Sequence, residues 1–221
     1  MLSKPADDLL NGEEWRQFLR VNGFGQVIAP GKGLAVPVVT PLHFALGRDD
    51  EAVFHVHRAN PLVAALRENP SCLLAVIGSY VYIPAEWNAA AGEDPRWGVP
   101  TSYYAAVQAA CNAEVVEDEW DLAGILSQLM EHYEPRGSRH HEVEPGDSPY
   151  GKLLGAIVGV RLRITRVRGK FKFGGNRDSA HRLRVAERLA GRNGPLDASA
   201  RAHVLRRDAA SRGVDEEADG Q

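Results

Sequence analysis

About seven runs of this chain alternate apolar with polar residues, and few helical runs separate them. The last run, Ala156 to Val167, shows the pattern best. Its Ile157, Val158, Val160, Leu162, Ile164 and Val167 are interleaved with Arg161, Arg163 and Arg166. The other runs are Phe24–Ala29, Leu34–Leu42, Ala52–Arg58, Cys72–Gly78, Tyr80–Ile83 and the long Val99–Val116. Strict strand–helix alternation is absent, which argues against a doubly wound parallel sheet. The expected class is mainly β with peripheral helices (α+β), as a closed or nearly closed barrel. Pro37 and Pro41 interrupt the second run, so an edge or a bulge is expected there.

Helices are expected after the capping-box spacing Asn11–Glu14, over Pro61–Glu68, from Asp118 to Tyr133, near Pro149–Leu154 and near Ser179–Ala190. Residues 84–100, which carry Trp87 and Trp97, read as a lid or binding loop. Beyond Gly191 large apolar groups become scarce and the chain ends Asp215-Glu-Glu-Ala-Asp-Gly-Gln221. The expected layout is therefore one cofactor-binding domain over 1–191 and a polar, disordered tail over 192–221.

A chain of 221 residues suits one large domain with a sizeable core. Net charge is −3, so no basic excess steers it toward nucleic acid, and no helix-turn-helix pattern or basic recognition helix is present. Cys72 and Cys111 lie in apolar strand runs without zinc or redox spacing, and read as reduced core residues. No apolar run reaches membrane-spanning length and no signal pattern opens the chain. A cytoplasmic protein without membrane contact is expected.

Three segments could carry chemistry. In Ala52–Pro61, Phe54, Val56 and Arg58 alternate with His55 and His57, so a strand's period of two puts both imidazoles on one face. Asn60 then falls at a helix N-cap and Pro61 at the first helical position. This stretch offers two metal or proton-transfer ligands, a cation and an anion-binding helix start. The competing reading is that a strand histidine is simply packed. In Gly169–Arg177, Lys170 and Lys172 share one face, Phe171 and Phe173 the other, and Gly174-Gly175 permits close backbone approach. That segment suits an anionic cofactor edge or a substrate carboxylate, or is a solvated basic face over a Phe anchor. Thr101-Ser-Tyr-Tyr104 offers hydroxyls to a ligand, or is an ordinary strand with one buried Tyr. His140-His141 sits in a polar loop, and no nucleophile-elbow spacing occurs.

Four stretches, in order, resemble the PaiB-like family: His55-Val-His-Arg-Ala-Asn-Pro61, Tyr82-Ile-Pro-Ala-Glu-Trp87, Val99-Pro-Thr-Ser-Tyr-Tyr-Ala-Ala-Val107 and Gly169-Lys-Phe-Lys-Phe-Gly-Gly-Asn-Arg177. The resemblance spans residues 12–190. It implies a split β-barrel of the FMN-binding and pyridoxamine-phosphate-oxidase type, a homodimer with its ligand at the subunit interface. Founding members are FMN-binding negative regulators. They typically have Ala, Trp-Asn and Ser-Gln where this chain has His57, Ser102-Tyr103 and Gly174-Gly175. In its second His and its Lys-Phe-Lys-Phe-Gly-Gly-Asn run, the chain resembles the heme-dependent piperazate synthase branch. The implied reaction closes the amino acid N5-hydroxy-L-ornithine to L-piperazic acid by forming an N–N bond, with loss of water and no net redox change. The implied cofactor is heme b, with FMN the alternative. His57, or else His55, is the implied metal ligand. His55, Tyr103 and Tyr104 are the implied acid–base groups. His55, His57, Arg58, Asn60, Lys170, Lys172 and Arg177 are the implied cofactor-binding set. The alternative functions are a PaiB-type transcriptional regulator and a flavin-dependent oxidoreductase.

Overall fold

A computed structural model describes residues 1–31 and 33–219, with the backbone alone for 213–219. Lys32, between the runs Phe24–Ala29 and Leu34–Leu42, and Gly220–Gln221 of the expected tail lie outside the described residues. The strands are β1 (Phe24–Ala29), β2 (Val38–His43), β3 (Ala45–Leu46), β4 (Glu51–His57), β5 (Ser71–Ile83), β6 (Thr101–Val116) and β7 (Ile157–Lys172). They form one sheet in the order β2-β1-β5-β6-β7-β4-β3. β1 pairs antiparallel with β2 and β5, and β4 pairs antiparallel with β3 and β7. The helices are α1 (Gly12–Val21), α2 (Pro61–Glu68), α3 (Ala85–Asn88), α4 (Glu119–Tyr133), α5 (Pro149–Leu154), α6 (Ser179–Arg192) and α7 (Asp197–Asp219). Among the described residues no helix is long and apolar enough to cross a membrane.

Local sequence explains most of these boundaries. β2 ends the strand order, and Pro41 lies within it opposite Gln26. An edge tolerates the missing proline N–H. The two runs Cys72–Gly78 and Tyr80–Ile83 join into the single strand β5, with Ser79 at φ 53° between them. β7 continues past Val167 to Lys172, and its buried side switches phase on the way. Val158, Val160 and Leu162 are buried in its first half, Gly169 and Phe171 in its second. A strict period of two cannot link even to odd positions, so one residue slips out of phase between them.

The chain divides into two compact units. One comprises Arg16–Val76 and Val107–Val167. In it β4 and β7 meet with Phe54 opposite Val160, His55 opposite Gly159 and Val56 opposite Val158. Phe54, Val56, Val158 and Val160 are all buried. On the other face of β4, Val53 packs with Ala45, Val116, Ile125 and Leu129. α4 reaches that face because Gly159 has no side chain, and a Cβ there would stand 2.6 Å from Ile125 Cδ1. Asp118 starts α4 by accepting from the N–H groups of Trp120 and Asp121, both at 3.0 Å.

The other unit comprises Met1–Trp15, Ile77–Ala106 and Arg168–Gln221. The expected loop 84–100 holds α3 and a 3-10 turn over Pro95–Trp97. Asn88 Nδ2 ties it down by donating to the Val99 carbonyl at 2.5 Å. Trp87 lies under the guanidinium of Arg192, 4.9 Å from its ring centroid. The expected disordered tail needs correction. From Asp197 the chain is helical, and Ala200, Val204, Arg207 and Asp208 are buried. Its sparse apolar content misleads because its polar groups are buried in pairs. Asp208 accepts from Arg182 Nε at 3.1 Å, and Glu14 accepts from Arg207 at 3.0 Å. The C-terminal helix therefore belongs to the same unit as the second half of β7, and 1–191 is not a self-contained division.

Breaking a buried pair leaves an uncompensated charge, which costs far more than losing a surface pair. Replacing Asp208 with Ala is expected to lower stability by about 3–5 kcal/mol. The measurement is the urea midpoint, and an unchanged midpoint would mean that α7 does not hold the unit together.

Candidate functional site

The sequence-based candidates fall in both units. In the unit built on β4, His55 and His57 share a face as expected but differ in environment. His55 is half-buried. Burial, then the neighbouring His43, holds its imidazole below the ordinary histidine pKa, so the ring is neutral at pH 7. Its Nδ1 is buried and has no hydrogen-bond partner among the described residues. His43 stands edge-on to it with ring centroids 5.5 Å apart, and Tyr133 stands edge-on to His43 at 5.3 Å. The Tyr133 hydroxyl shares its proton between the carbonyls of Gly23 and Phe44, both at 2.6 Å. Burial raises the Tyr133 pKa.

His57 is exposed at the strand end, and its Nδ1 accepts from the Ala59 N–H at 3.1 Å. A neutral His57 ring in this geometry carries its proton on Nε2. Arg58 is anchored by the carbonyls of Gly155 (3.2 Å) and Ile157 (3.4 Å) and by an ion pair with Glu117. The hydrogen bond from Arg58 keeps the exposed Glu117 carboxyl below its usual range. Asn60 caps α2 as expected: its Oδ1 accepts from Leu62 N–H at 2.9 Å and its carbonyl from Val63 N–H at 2.9 Å. Those two N–H groups of the helix start are thus already engaged.

In the other unit, Tyr103 is 2% exposed, and burial pushes its phenol pKa up to about 12. Its ring lies edge-on to Phe173 at 6.0 Å. Tyr104 is half-buried, with Lys170 Nζ 5.9 Å from its ring centroid. Lys170 donates to the Leu2 carbonyl at 3.0 Å and lies 3.9 Å from Asp7. Lys172 donates to Thr101 Oγ1 at 2.6 Å. The Arg177 backbone is fixed at both ends: its N–H bonds Gly174 O at 3.0 Å, and its carbonyl accepts from Arg182. Phe173 is covered by a stacked His203 (4.5 Å, 14°), and Phe171 by the Arg207 guanidinium at 5.6 Å. What approaches Gly175 is the chain's own Ala6: a Cβ on Gly175 would sit 2.0 Å from the Ala6 carbonyl oxygen.

Sequence reasoning missed three residues. Asp7 is buried, and desolvation raises its carboxyl pKa despite Lys170 and Lys172 nearby. His43 and Tyr133 reach the His55 cluster from distant parts of the chain, which no local spacing reveals. His140 and His141 line a cavity of about 600 Å³ against Trp120, Gly124 and Met130 of α4. Among the described residues no three His, Cys, Asp or Glu side chains cluster closely enough to hold a bare metal ion. A single neutral imidazole is a sufficient protein ligand where a porphyrin supplies the other nitrogen donors, so the donor chemistry at His55 fits heme iron.

This fold is a split β-barrel, as the sequence resemblance implies. The chain belongs to the PaiB-like family described as "Putative FMN-binding domain", whose family model matches residues 2–166. It is similar to protease synthase and sporulation protein PAI 2 of Bacillus subtilis (strain 168), 27% identical over 194 residues covering 84% of this chain and 87% of that protein. Among solved structures it is similar to flavocytochrome Anf3 from Azotobacter vinelandii, with a TM-score of 0.56 and 21% identity over 75% of this chain and 69% of that one. It is also similar to the FAD and heme binding protein from Mycobacterium smegmatis, with a TM-score of 0.52 and 19% identity over 76% and 74% of the two chains.

Two outcomes follow from this geometry. Gly175→Ala is expected to lose about 1–3 kcal/mol of stability, because the added methyl meets backbone and not a flexible side chain; chemical denaturation measures it. Tyr103 carries a folded-state pKa of about 12, above the unfolded value near 10. Its neutral form therefore stabilises fully below pH about 10, and that contribution is lost as pH rises to about 12. The alkaline fall in stability should be shallower in Tyr103→Phe; identical slopes would contradict a buried phenol.

Proposed function

We propose that this PaiB-like chain is a heme-dependent cyclase that converts N5-hydroxy-L-ornithine to L-piperazic acid, with His55 as the residue that would hold the heme iron. The observation that carries the reading is the state of His55: half-buried, neutral at pH 7 and with an unpartnered buried nitrogen. The second histidine of the His55–His57 pair and the Lys170–Asn176 run support it from sequence. Two proteins of similar fold are named for heme binding or as a flavocytochrome, so split barrels of this kind accept such groups elsewhere. His55 ranks ahead of His57 because the Nδ1 of His57 already accepts from Ala59. A histidine that ligates through Nε2 carries a proton on Nδ1, where it donates and does not accept.

Heme iron, when bound, supplies a Lewis acid toward the hydroxylamine oxygen. The chain's own groups must take a proton from the α-amine and give one to the departing oxygen, which leaves as water. His43, exposed and edge-on to His55, is suited to hold the amine proton on a ring nitrogen. In the other unit Tyr104 is half-buried, and Tyr103 is 2% exposed. Tyr103 keeps its proton up to about 12, so it serves as a hydrogen-bond donor and not as a base. Arg58, in the same unit as His55, is the cation for a propionate or the substrate carboxylate. The reading takes the protein as a cytoplasmic homodimer, with the exposed Ile77, Tyr80 and Tyr82 of β5 as apolar surface for the partner copy.

An FMN reading, as regulator or oxidoreductase, is favoured by the family's description. The deciding experiment incubates heme-loaded protein with N5-hydroxy-L-ornithine under anaerobic conditions and weighs the product by mass spectrometry. The expected product is lighter by one water and is cyclic; unchanged substrate would overturn the cyclase. In heme titrations His55→Ala is expected to lose at least tenfold in affinity while His57→Ala retains it. The reverse order would overturn the ligand assignment alone.

A further inference from the structure

Cys72 and Cys111 take no part in the chemistry above, and the fold sets them face to face. Ala113 N–H donates to the Pro70 carbonyl at 2.8 Å. One step of two residues along each antiparallel strand from that bond pairs Cys72 of β5 directly with Cys111 of β6. Residues directly opposite in such a ladder point their side chains to the same side. Consistent with that pairing, each thiol is close enough to shift the ionisation of the other. Both are free and buried, at 8% and 4% exposure. Directly opposed residues at a hydrogen-bonded position have Cα atoms about 5.5 Å apart, within the usual disulfide range of roughly 4.4–6.8 Å. Closing an S–S bond therefore needs side-chain rotation and no rearrangement of the strands.

We propose that Cys72 and Cys111 form a reversible cross-strand dithiol–disulfide pair, a modification site that a small peroxide oxidises. Cys72 is the attacking thiol. It is the more exposed of the two, and the neighbouring Cys111 thiol holds its pKa below the ordinary thiol value. Cys111 is pushed well above that value, first by Cys72 and then by burial, and its S–H has the Ala109 carbonyl 3.3 Å away. The Cys72 thiolate attacks one peroxide oxygen and breaks the O–O bond; the sulfur becomes a sulfenic acid and the other oxygen leaves as water after taking up a proton. The Cys111 sulfur then attacks the Cys72 sulfur and expels the second oxygen with the Cys111 proton as water. The two thiols lose two hydrogens in all, and hydrogen peroxide is reduced to two waters. A reducing cytoplasm returns the pair to thiols, so the staple between β5 and β6 is transient.

The test treats the full-length native protein with hydrogen peroxide and follows intact mass and helical circular dichroism together. The expected result is an intramolecular loss of two hydrogens with the fold retained, reversed by dithiothreitol, and a tryptic peptide joining Cys72 to Cys111. In Cys111→Ser the reaction should stop at a sulfenic acid on Cys72 that dimedone traps. The proposal is overturned if both thiols stay alkylatable while the protein remains folded, if they oxidise only after circular dichroism reports unfolding, or if the disulfides formed join separate molecules. The wild-type mass alone decides the matter should the variant not fold.

Discussion

The pairing of β4 with β7 governs the chemistry of this protein. Phe54 opposite Val160 and Val56 opposite Val158 commit one face of β4 to the core. A period of two then forces His55 and His57 to the opposite face, where neither can join that core. α4 covers the same face, and it comes close because the residue opposite His55 is Gly159. Cover by α4 and by His43 takes water from His55 but not from His57 at the strand's end. Two histidines of one motif thus acquire different chemistry from a displacement of two residues. Desolvation keeps the first neutral, while the second spends its Nδ1 on a turn.

The same contrast between local pattern and long-range partner decides what could be read from the sequence. Period two placed both imidazoles on one face, and Asn60 and Asp118 cap their helices as their positions suggest. Pro41 marks an edge strand for the same local reason. Composition failed at α7, because counting polar residues cannot reveal that Arg207 meets Glu14, or that Asp208 meets Arg182, inside the unit. Gly174-Gly175 looked like a place for a ligand's approach, and the requirement for a bare backbone was legible there. That the approaching group at Gly175 is the Ala6 carbonyl was not, since it lies almost the whole chain away. His43 and Tyr133 escaped notice on the same ground.

Several candidate cations already have protein partners. Arg58 is tied to Glu117 and two carbonyls, Lys170 to Leu2 and Asp7, and Lys172 to Thr101. An anionic ligand at these residues must exchange with those contacts, so each cation contributes less to affinity than a free charge would. Arg58 and its acidic partner are about half exposed, at 41% and 48%, where the exchange costs little because water screens the pair. The buried Nδ1 of His55 has no such partner among the described residues.

The central claim is that the β4 imidazoles make this family member a heme protein. The most direct measurement is an absorption titration of the metal-free, flavin-free protein with hemin in one cell and FMN in another. The account predicts a Soret band that saturates at one heme per chain and a flavin spectrum unchanged from that of FMN free in buffer. Saturable flavin binding with no Soret band at any hemin ratio would contradict it and return the protein to the flavin-binding reading of its family.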